Sequence, residues 1–371
     1  MREASTDVGM DVHKKDIVVA MLLPAAREVE TWAVANEPRA VRRLARKLKR
    51  EAPGIIRSVY EAGPCGYVLK RQLEAEGVPC EVVAPSLIPS APGDRVKTDR
   101  RDAKKLAEML RAGLLTEVHP PTQEDEAVRD LCRCREDVKQ DLSRCRQRLG
   151  KFLLRKGLRY GAGRAWTERH RRWLWSLELE QRAAQATLEE YLLGIEQLET
   201  RLQELDATIG EIACAEVYRE RVGWLRCFRG IDTLTAMMIL AELHDFRRFT
   251  SARQLMSYLG LVPSERSSGE STRRGGITKA GNAHLRRVLV ETAWHYRHKP
   301  AVGVTLRKRR QGQPAQIIAI ADRAMRRLHR RYWRMLSLSK PAQKAVTAVA
   351  RELVGFIWAT LYPAQVDGSS N

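Results

Sequence analysis

No two cysteines in this sequence have the spacing of a zinc site. The seven are odd in number and include no CxxC pair, and Cys132 and Cys134 are separated by a single residue. That pattern argues against a zinc ribbon and a secreted disulfide framework, and predicts reduced thiols in a cytoplasmic protein. A secretory leader is not expected, because Glu3 and Asp7 precede any apolar run. The uncharged stretch from Leu353 to Val366 falls short of the roughly 20 residues of a membrane span, so no membrane partner is expected. Internal repeats and low-complexity tracts are absent as well. Acidic residues are in deficit: 45 Asp and Glu stand against 66 Lys and Arg, a formal net charge of +21. An excess of this size speaks about partners, and a polyanion is the simplest one. A merely basic soluble protein is the plainer reading, and the clustering of the arginines argues against it.

The 371 residues are enough for two or three domains. Residues 1–121 carry period-two and period-3.6 patterns in alternation. Strands are expected at Val8 to Val12, Ile17 to Leu23, Glu28 to Val34, Ile55 to Tyr60 and Cys80 to Val83. Helices are expected at Glu37 to Glu51, around Tyr67 to Glu76, and from about Thr98 to Ala112. Three antiparallel strands, a helix, then alternating strand and helix is the order of a ribonuclease-H-like domain. Residues 122–218 read as two long charged helices, Glu124 to Leu158 and Thr167 to Cys214. In the second, Leu188, Ile195, Leu202 and Ile209 recur every seven residues, interleaved with Tyr191, Leu198, Leu205 and Ile212. Four unbroken heptads predict a coiled coil that pairs subunits, with an ordinary long helix packed on its own chain as the alternative. Residues 219–371 read as helical but punctuated by Gly, and Leu225 to Leu243, with Gly230-Ile231 between two apolar stretches, looks like a helix-hairpin-helix. The fold class expected is therefore α/β plus all-α.

Two sets of residues could carry chemistry. Asp11 lies at the end of the first strand and Glu61 at the end of the fourth, while Asp99 and Asp102 are three apart at a helix start and share a face. Four carboxylates brought together from these positions would suit Mg²⁺, which prefers carboxylate and water oxygens and can drive phosphodiester chemistry. Taken singly, Asp99 could be an acid favoured by the helix dipole and Asp11 a turn residue. The second set is the run from Gly260 to Asn282, where Ser267-Ser268-Gly269 is surrounded by Arg266, Arg273, Arg274 and Lys279. A flexible Gly/Ser-rich loop of this kind can hold phosphate and offer a hydroxyl for attack, or bind phosphate only. The nearest histidine, His284, is too distant in sequence for a serine–histidine hydrolase arrangement to be attractive.

Gly9-Met10-Asp11-Val12, Tyr60-Glu61-Ala62-Gly63, Lys97-Thr98-Asp99-Arg100-Arg101-Asp102-Ala103 and the Ser267-Ser268-Gly269 to Asn282 block together resemble the DEDD transposases of bridge-RNA-guided bacterial insertion sequences, which are similar to pilin-gene invertases. The resemblance runs from about Val8 to Trp358. It implies that residues 1–121 form a RuvC-like domain whose Asp11, Glu61, Asp99 and Asp102 bind metal. It implies that Ser268, with Ser267 as close competitor, forms a transient phosphoserine link to DNA. It also implies that Arg266, Arg273, Arg274, Lys279 and Asn282 lie against nucleic acid. The partners implied are donor and target DNA, a structured guide RNA, and further copies of the chain, with dimers forming a tetramer in which acids and serine come from different subunits. A metal-dependent junction nuclease using water and a non-catalytic RNA-binding protein are the alternatives.

Overall fold

The structure is a computed structural model that describes residues 4–89, 98–268 and 271–367; side chains at 266–274 and 363–367 are outside that description. The chain divides into two compact units, Met1–Pro120 and Pro121–Asn371.

The first unit is a five-stranded sheet in the order β3-β2-β1-β4-β5, formed by β1 (Ser5–Val12), β2 (Asp16–Leu22), β3 (Glu30–Ala35), β4 (Ile55–Glu61) and β5 (Cys80–Val83). β1, β2 and β3 pair antiparallel, whereas β4 runs parallel to β1 and to β5. This is the topology compatible with the ribonuclease-H-like domain expected from the element order. Alternation along each strand sorts side chains between two layers. Val8, Met10, Ile17, Val19, Tyr60 and Val82 face helices α1 (Pro38–Glu51) and α2 (Val68–Ala75), which bring Val41, Leu44, Leu48, Leu69 and Leu73. Each of these fully buried Leu or Val side chains contributes about 1.5–3 kcal/mol. On the opposite face Val18, Ala20, Leu22, Val59 and Val83 meet α3 (Asp99–Ala112) through Ala103, Leu106, Ala107 and Leu110.

One strand decides how closely α3 can approach. Asp7, Gly9 and Asp11 occupy alternate positions of β1 on the α3 side. A Cβ on Gly9 would stand 2.1 Å from the Ala103 carbonyl oxygen and 2.5 Å from the Ala107 amide nitrogen. Because those are backbone atoms, no side-chain rotation relieves the clash. Gly9→Ala is therefore expected to lower unfolding stability by about 3 kcal/mol, the upper part of the range for overpacking. A urea midpoint equal to that of the wild type would show that α3 is not held by this contact.

The described residues of the second unit are helical apart from one hairpin. α4 (Gln123–Arg155) is joined through the short α5 (Glu168–Trp175) to α6 (Arg182–Ile212), which returns antiparallel along it. The helix expected from Thr167 to Cys214 is thus interrupted at residues 176–181. The heptad seam is used inside the chain: Leu188 and Ile195 are buried with Leu142, Cys145, Leu149 and Phe152 of α4. Ile209 is likewise buried, in one cluster with Cys132 of α4. Arg135 clasps Asp206 across the pair at 2.7 and 3.2 Å. Leu198, Leu202 and Leu205 of the seam are only half-buried.

α7 (Glu216–Leu225), α8 (Thr233–Leu243), α9 (Ala252–Tyr258), α10 (Ala283–Ala293), α11 (Val304–Arg310), α12 (Ala315–Ser337) and α13 (Ala342–Asp367) build a second core. Gly230 lies between α7 and α8 with φ +82, and the Asp232 carboxylate caps α8 by accepting from the Thr235 amide at 2.8 Å. That cap already occupies one of the amides a helix-hairpin-helix would offer to phosphate. α13 is longer than the apolar stretch read in sequence: Ala342–Tyr362, 21 residues, is long and apolar enough to cross a membrane. Half of that segment is buried, however, with Val346, Val349, Leu353 and Ile357 at the centre of the second core. Arg351 and Glu352 hide its length in the sequence. All seven cysteines are free thiols.

Candidate active site

Asp11, His13 and Asp99 come together at one end of the first unit. Asp11 is near the end of the strand ladder, beside the turn that links β1 to β2, where the His13 amide donates to the Asp16 carbonyl at 2.9 Å. Asn36 steadies that turn by donating from Nδ2 to the His13 carbonyl at 2.7 Å. Asp99 opens α3, whose cap is Thr98 accepting from the Arg101 amide. Asp102, three residues on, lies on the same helix face. His13 Nε2 is 3.3 Å from Asp11 Oδ2 and 3.5 Å from Asp99 Oδ1. One ligand atom from each of the three lies within 4.8 Å of the others.

Register gives the side on which Glu61 lies. Met10 pairs with Tyr60 across the parallel β1–β4 ladder, and both pack toward α1 and α2. The next residues along each strand, Asp11 and Glu61, therefore lie on the α3 side. Of the four sequence-predicted acids, the structure brings Asp11 and Asp99 together with His13, while Asp102 and Glu61 lie on the same side without entering that group. Burial raises the Asp11 pKa; His13 opposes that shift, and the charges of Asp99 and Asp102 add to it. The neighbouring Asp11 carboxylate in turn raises the His13 pKa. Carboxylate oxygens with one imidazole form a donor set that fits a hard divalent cation.

Sequence reasoning places His13 only in a turn. The available signal is its position two residues after Asp11, where an extended chain returns to the same face. A second omission lies at the other end of the same strand. Asp7 is fully buried and accepts from Arg57 Nε at 2.8 Å and from Arg111 Nε at 3.0 Å. Arg111 also donates through Nη2 to the Leu22 and Leu23 carbonyls at 2.7 and 2.8 Å. The C-terminal turn of α3 is thereby fastened at Asp7, its middle rests on Gly9, and its N-terminal acids arrive beside Asp11.

The serine run is not an open loop. Pro263–Ser268 (β6) and Ser271–Ile277 (β7) pair antiparallel, with Ser268 opposite Ser271 and Arg266 opposite Arg273. Gly275 and Gly276 lie within β7, and a Cβ on Gly275 would stand 2.4 Å from Ser264 Oγ. The side chains of Arg266, Ser267, Ser268, Arg273 and Arg274, and all of Gly269, fall outside the described residues. Lys279 is exposed with φ +57. The root of the hairpin is clamped. Gly281, at φ +62, packs so closely that a Cβ would be 1.9 Å from the Tyr258 carbonyl oxygen. Arg286 donates to the carbonyls of Leu259 and Ala280 at 2.9 and 2.8 Å.

Two family models cover these two sets of residues. One, the DEDD transposase model of IS110 elements, described as transposase, matches residues 8–156. The other, described as the transposase IS116/IS110/IS902 family, matches residues 224–305. The chain is 41% identical to the putative transposase y4qE of Sinorhizobium fredii, over 95% of this chain and 87% of that protein. It is 38% identical to the transposase for insertion sequence element IS1533 of Leptospira borgpetersenii, over 88% and 95%. This chain belongs to the IS110 family of insertion-sequence transposases. Membership implies an enzyme that binds, cuts and rejoins DNA, and the DEDD model points to divalent-metal use.

In this transposase Asn282 is occupied within the chain. Its Oδ1 caps α10 by accepting from the Leu285 amide at 2.9 Å, and its Nδ2 donates to Glu242 Oε2 at 2.6 Å. Glu242 is buried in α8 and also receives Arg133 from α4 at 2.7 and 2.9 Å. Burial alone would raise the Glu242 pKa, but the hydrogen bonds from Arg133 and Asn282 outweigh it and hold the carboxyl below its ordinary value. Asn282 thus serves as a helix cap, tied to α4 and α8 through Glu242 at the start of the segment that follows the hairpin.

Proposed function

We propose that this transposase is RNA-guided and Mg²⁺-dependent, with metal held by Asp11, Glu61, Asp99 and Asp102 and with Ser268 as nucleophile. The observation that carries the reading is the close approach of Asp11 and Asp99 to His13, whose Nε2 is 3.3 Å from Asp11 and 3.5 Å from Asp99. Bound there, Mg²⁺ would neutralise phosphate oxygens and favour ionisation of an attacking hydroxyl. Asp11 comes from a strand end and Asp99 from a helix whose approach Gly9 and Asp7 set, which supports a site held in place by the fold. Arg266, Arg273, Arg274 and Lys279 supply charge to hold the DNA backbone at the hairpin. As the Ser268 Oγ–P bond forms, the bond from phosphorus to one deoxyribose oxygen breaks. The serine proton ends on the released deoxyribose hydroxyl. The phosphoserine keeps the phosphoester linkage, and attack by a hydroxyl from a second strand reverses the step and regenerates Ser268. Donor and target DNA are selected by a structured RNA, and dimers assemble into a tetramer that brings acids and serine from different subunits.

The test uses the full chain with DNA carrying an element end and RNA transcribed from the DNA flanking the gene. Quenching with denaturant is expected to yield a protein–DNA adduct that requires Mg²⁺ and the RNA and is lost with chelator. Cut ends without an adduct would assign the attack to water, and cutting without RNA would remove the guide.

A further inference from the structure

We infer that the C-terminal half of α4 carries a binding groove for an unpaired nucleic-acid strand, lined by residues other than the acids and the hairpin. Arg144, Arg148, Lys151 and Arg155 are spaced four, three and four residues apart, which places them on one helix face over about 16 Å. They line a groove of about 800 Å³ together with Arg159 from the following turn. Among the described residues that line it there is no Asp or Glu. Arg144 pairs with Asp141 at 3.1 Å, whereas no ion pair ties Arg148, Lys151, Arg155 or Arg159 among the described residues. All five cations are exposed. Most other arginines of the α4–α6 pair are used in clasps such as Arg135 with Asp206, so this concentration of unpaired charge is a local feature.

Charge alone would suit a duplex equally well. Two aromatic rings make the difference. Tyr160 lines the groove with its ring braced at 4.7 Å by His170 and 5.2 Å by Trp173, and Tyr191 lines it braced at 5.9 Å by Phe152. Both remain partly exposed, and Leu154 beside them is 48% exposed. Pre-positioned rings beside a backbone-tracking row of cations are what splayed bases stack on, and a paired duplex cannot offer its base faces to them.

The test is equilibrium binding of fluorescent single-stranded RNA, single-stranded DNA and duplex DNA of one sequence to the full chain. It is done without divalent metal so that cleavage chemistry plays no part. The triple variant Arg148→Gln, Lys151→Gln, Arg155→Gln changes only exposed side chains, and circular dichroism checks that it folds. It is expected to weaken binding of a single strand at least tenfold and to reduce the slope of log affinity against log salt by about 2, as three lost phosphate contacts require. Tyr160→Ala and Tyr191→Ala are each expected to weaken single-strand binding about tenfold with duplex binding unchanged. The RNA and DNA arms distinguish which strand occupies the groove, and a preference for either over duplex supports the inference. Unchanged affinity and salt slope in the triple variant would overturn it. Equal loss of duplex binding with inert tyrosines would overturn it too, making the groove a duplex-backbone surface.

Discussion

Asp11→Asn is expected to reduce DNA strand cleavage on the order of 10³-fold, about 4 kcal/mol of transition-state stabilisation, while the protein stays folded. Asparagine keeps the size of the side chain and one oxygen, so the β1 ladder and the approach of α3 are unaffected. What is lost is one of the charges that, on the proposed reading, holds the metal. The stability consequence runs in the opposite direction. Burial and the charges of Asp99 and Asp102 raise the Asp11 pKa. A carboxyl shifted upward costs stability when ionised, and the cost appears as pH rises through its titration range. His13 offsets this only while protonated, since its raised pKa contributes stability below its titration range and loses it above. At a pH above the raised titration range of His13, Asp11→Asn is therefore expected to unfold at the same urea concentration as wild type or a higher one. An inactive variant that is also destabilised would point to a structural role, and an active one would remove Asp11 from the metal site.

Ser268→Ala is expected to abolish the covalent protein–DNA adduct and to lower strand exchange by about 10³-fold or more, with DNA and RNA affinity retained. The attacking oxygen is removed, and the backbone pairing of Ser268 with Ser271 is one that alanine can also make. The proposed reading assigns the attack to Ser268 and not to its neighbour Ser267. The adduct is therefore expected to survive Ser267→Ala. Loss with Ser267→Ala and survival with Ser268→Ala would move the nucleophile by one residue. Cleavage retained in both variants would leave water as the attacking group. The clamp at the root of the hairpin, formed by Gly281, Arg286 and the Asn282–Glu242 bond, is untouched by either change, so a loss of activity in them reports chemistry and not a displaced hairpin.

Much of the first unit is legible in the sequence because its patterns are local. Period two marks the five strands, and period 3.6 with a Thr98 cap marks α3. The i, i+3 spacing is enough by itself to put Asp99 and Asp102 on one helix face. The family likeness is legible in the same way, as short runs around Asp11, Glu61, Asp99 and Ser268. Local patterns mislead where two structures share them. Gly- and Ser-rich residues 263–277 read as a loop yet pair as a hairpin, because backbone hydrogen bonds form a ladder whatever the side chains. The break at residues 176–181 leaves little mark, because charged residues on both sides continue a helical composition. The heptads of α6 do announce an apolar seam, but a seam does not name its partner, and here α4 of the same chain buries Leu188 and Ile195 of it.

What the sequence by itself determined was the set of elements, the acids and serines at their ends, and the excess of positive charge. Only the tertiary structure decided that Asp7 meets Arg111, 104 positions away, that α3 rests on Gly9, that His13 turns back to Asp11 and Asp99, and that Asn282 is held by Glu242. The physical reason is range: a periodic pattern is felt over one or two helical turns, whereas a buried charge or a helix lying on a glycine is satisfied by whatever the fold brings within a few ångströms.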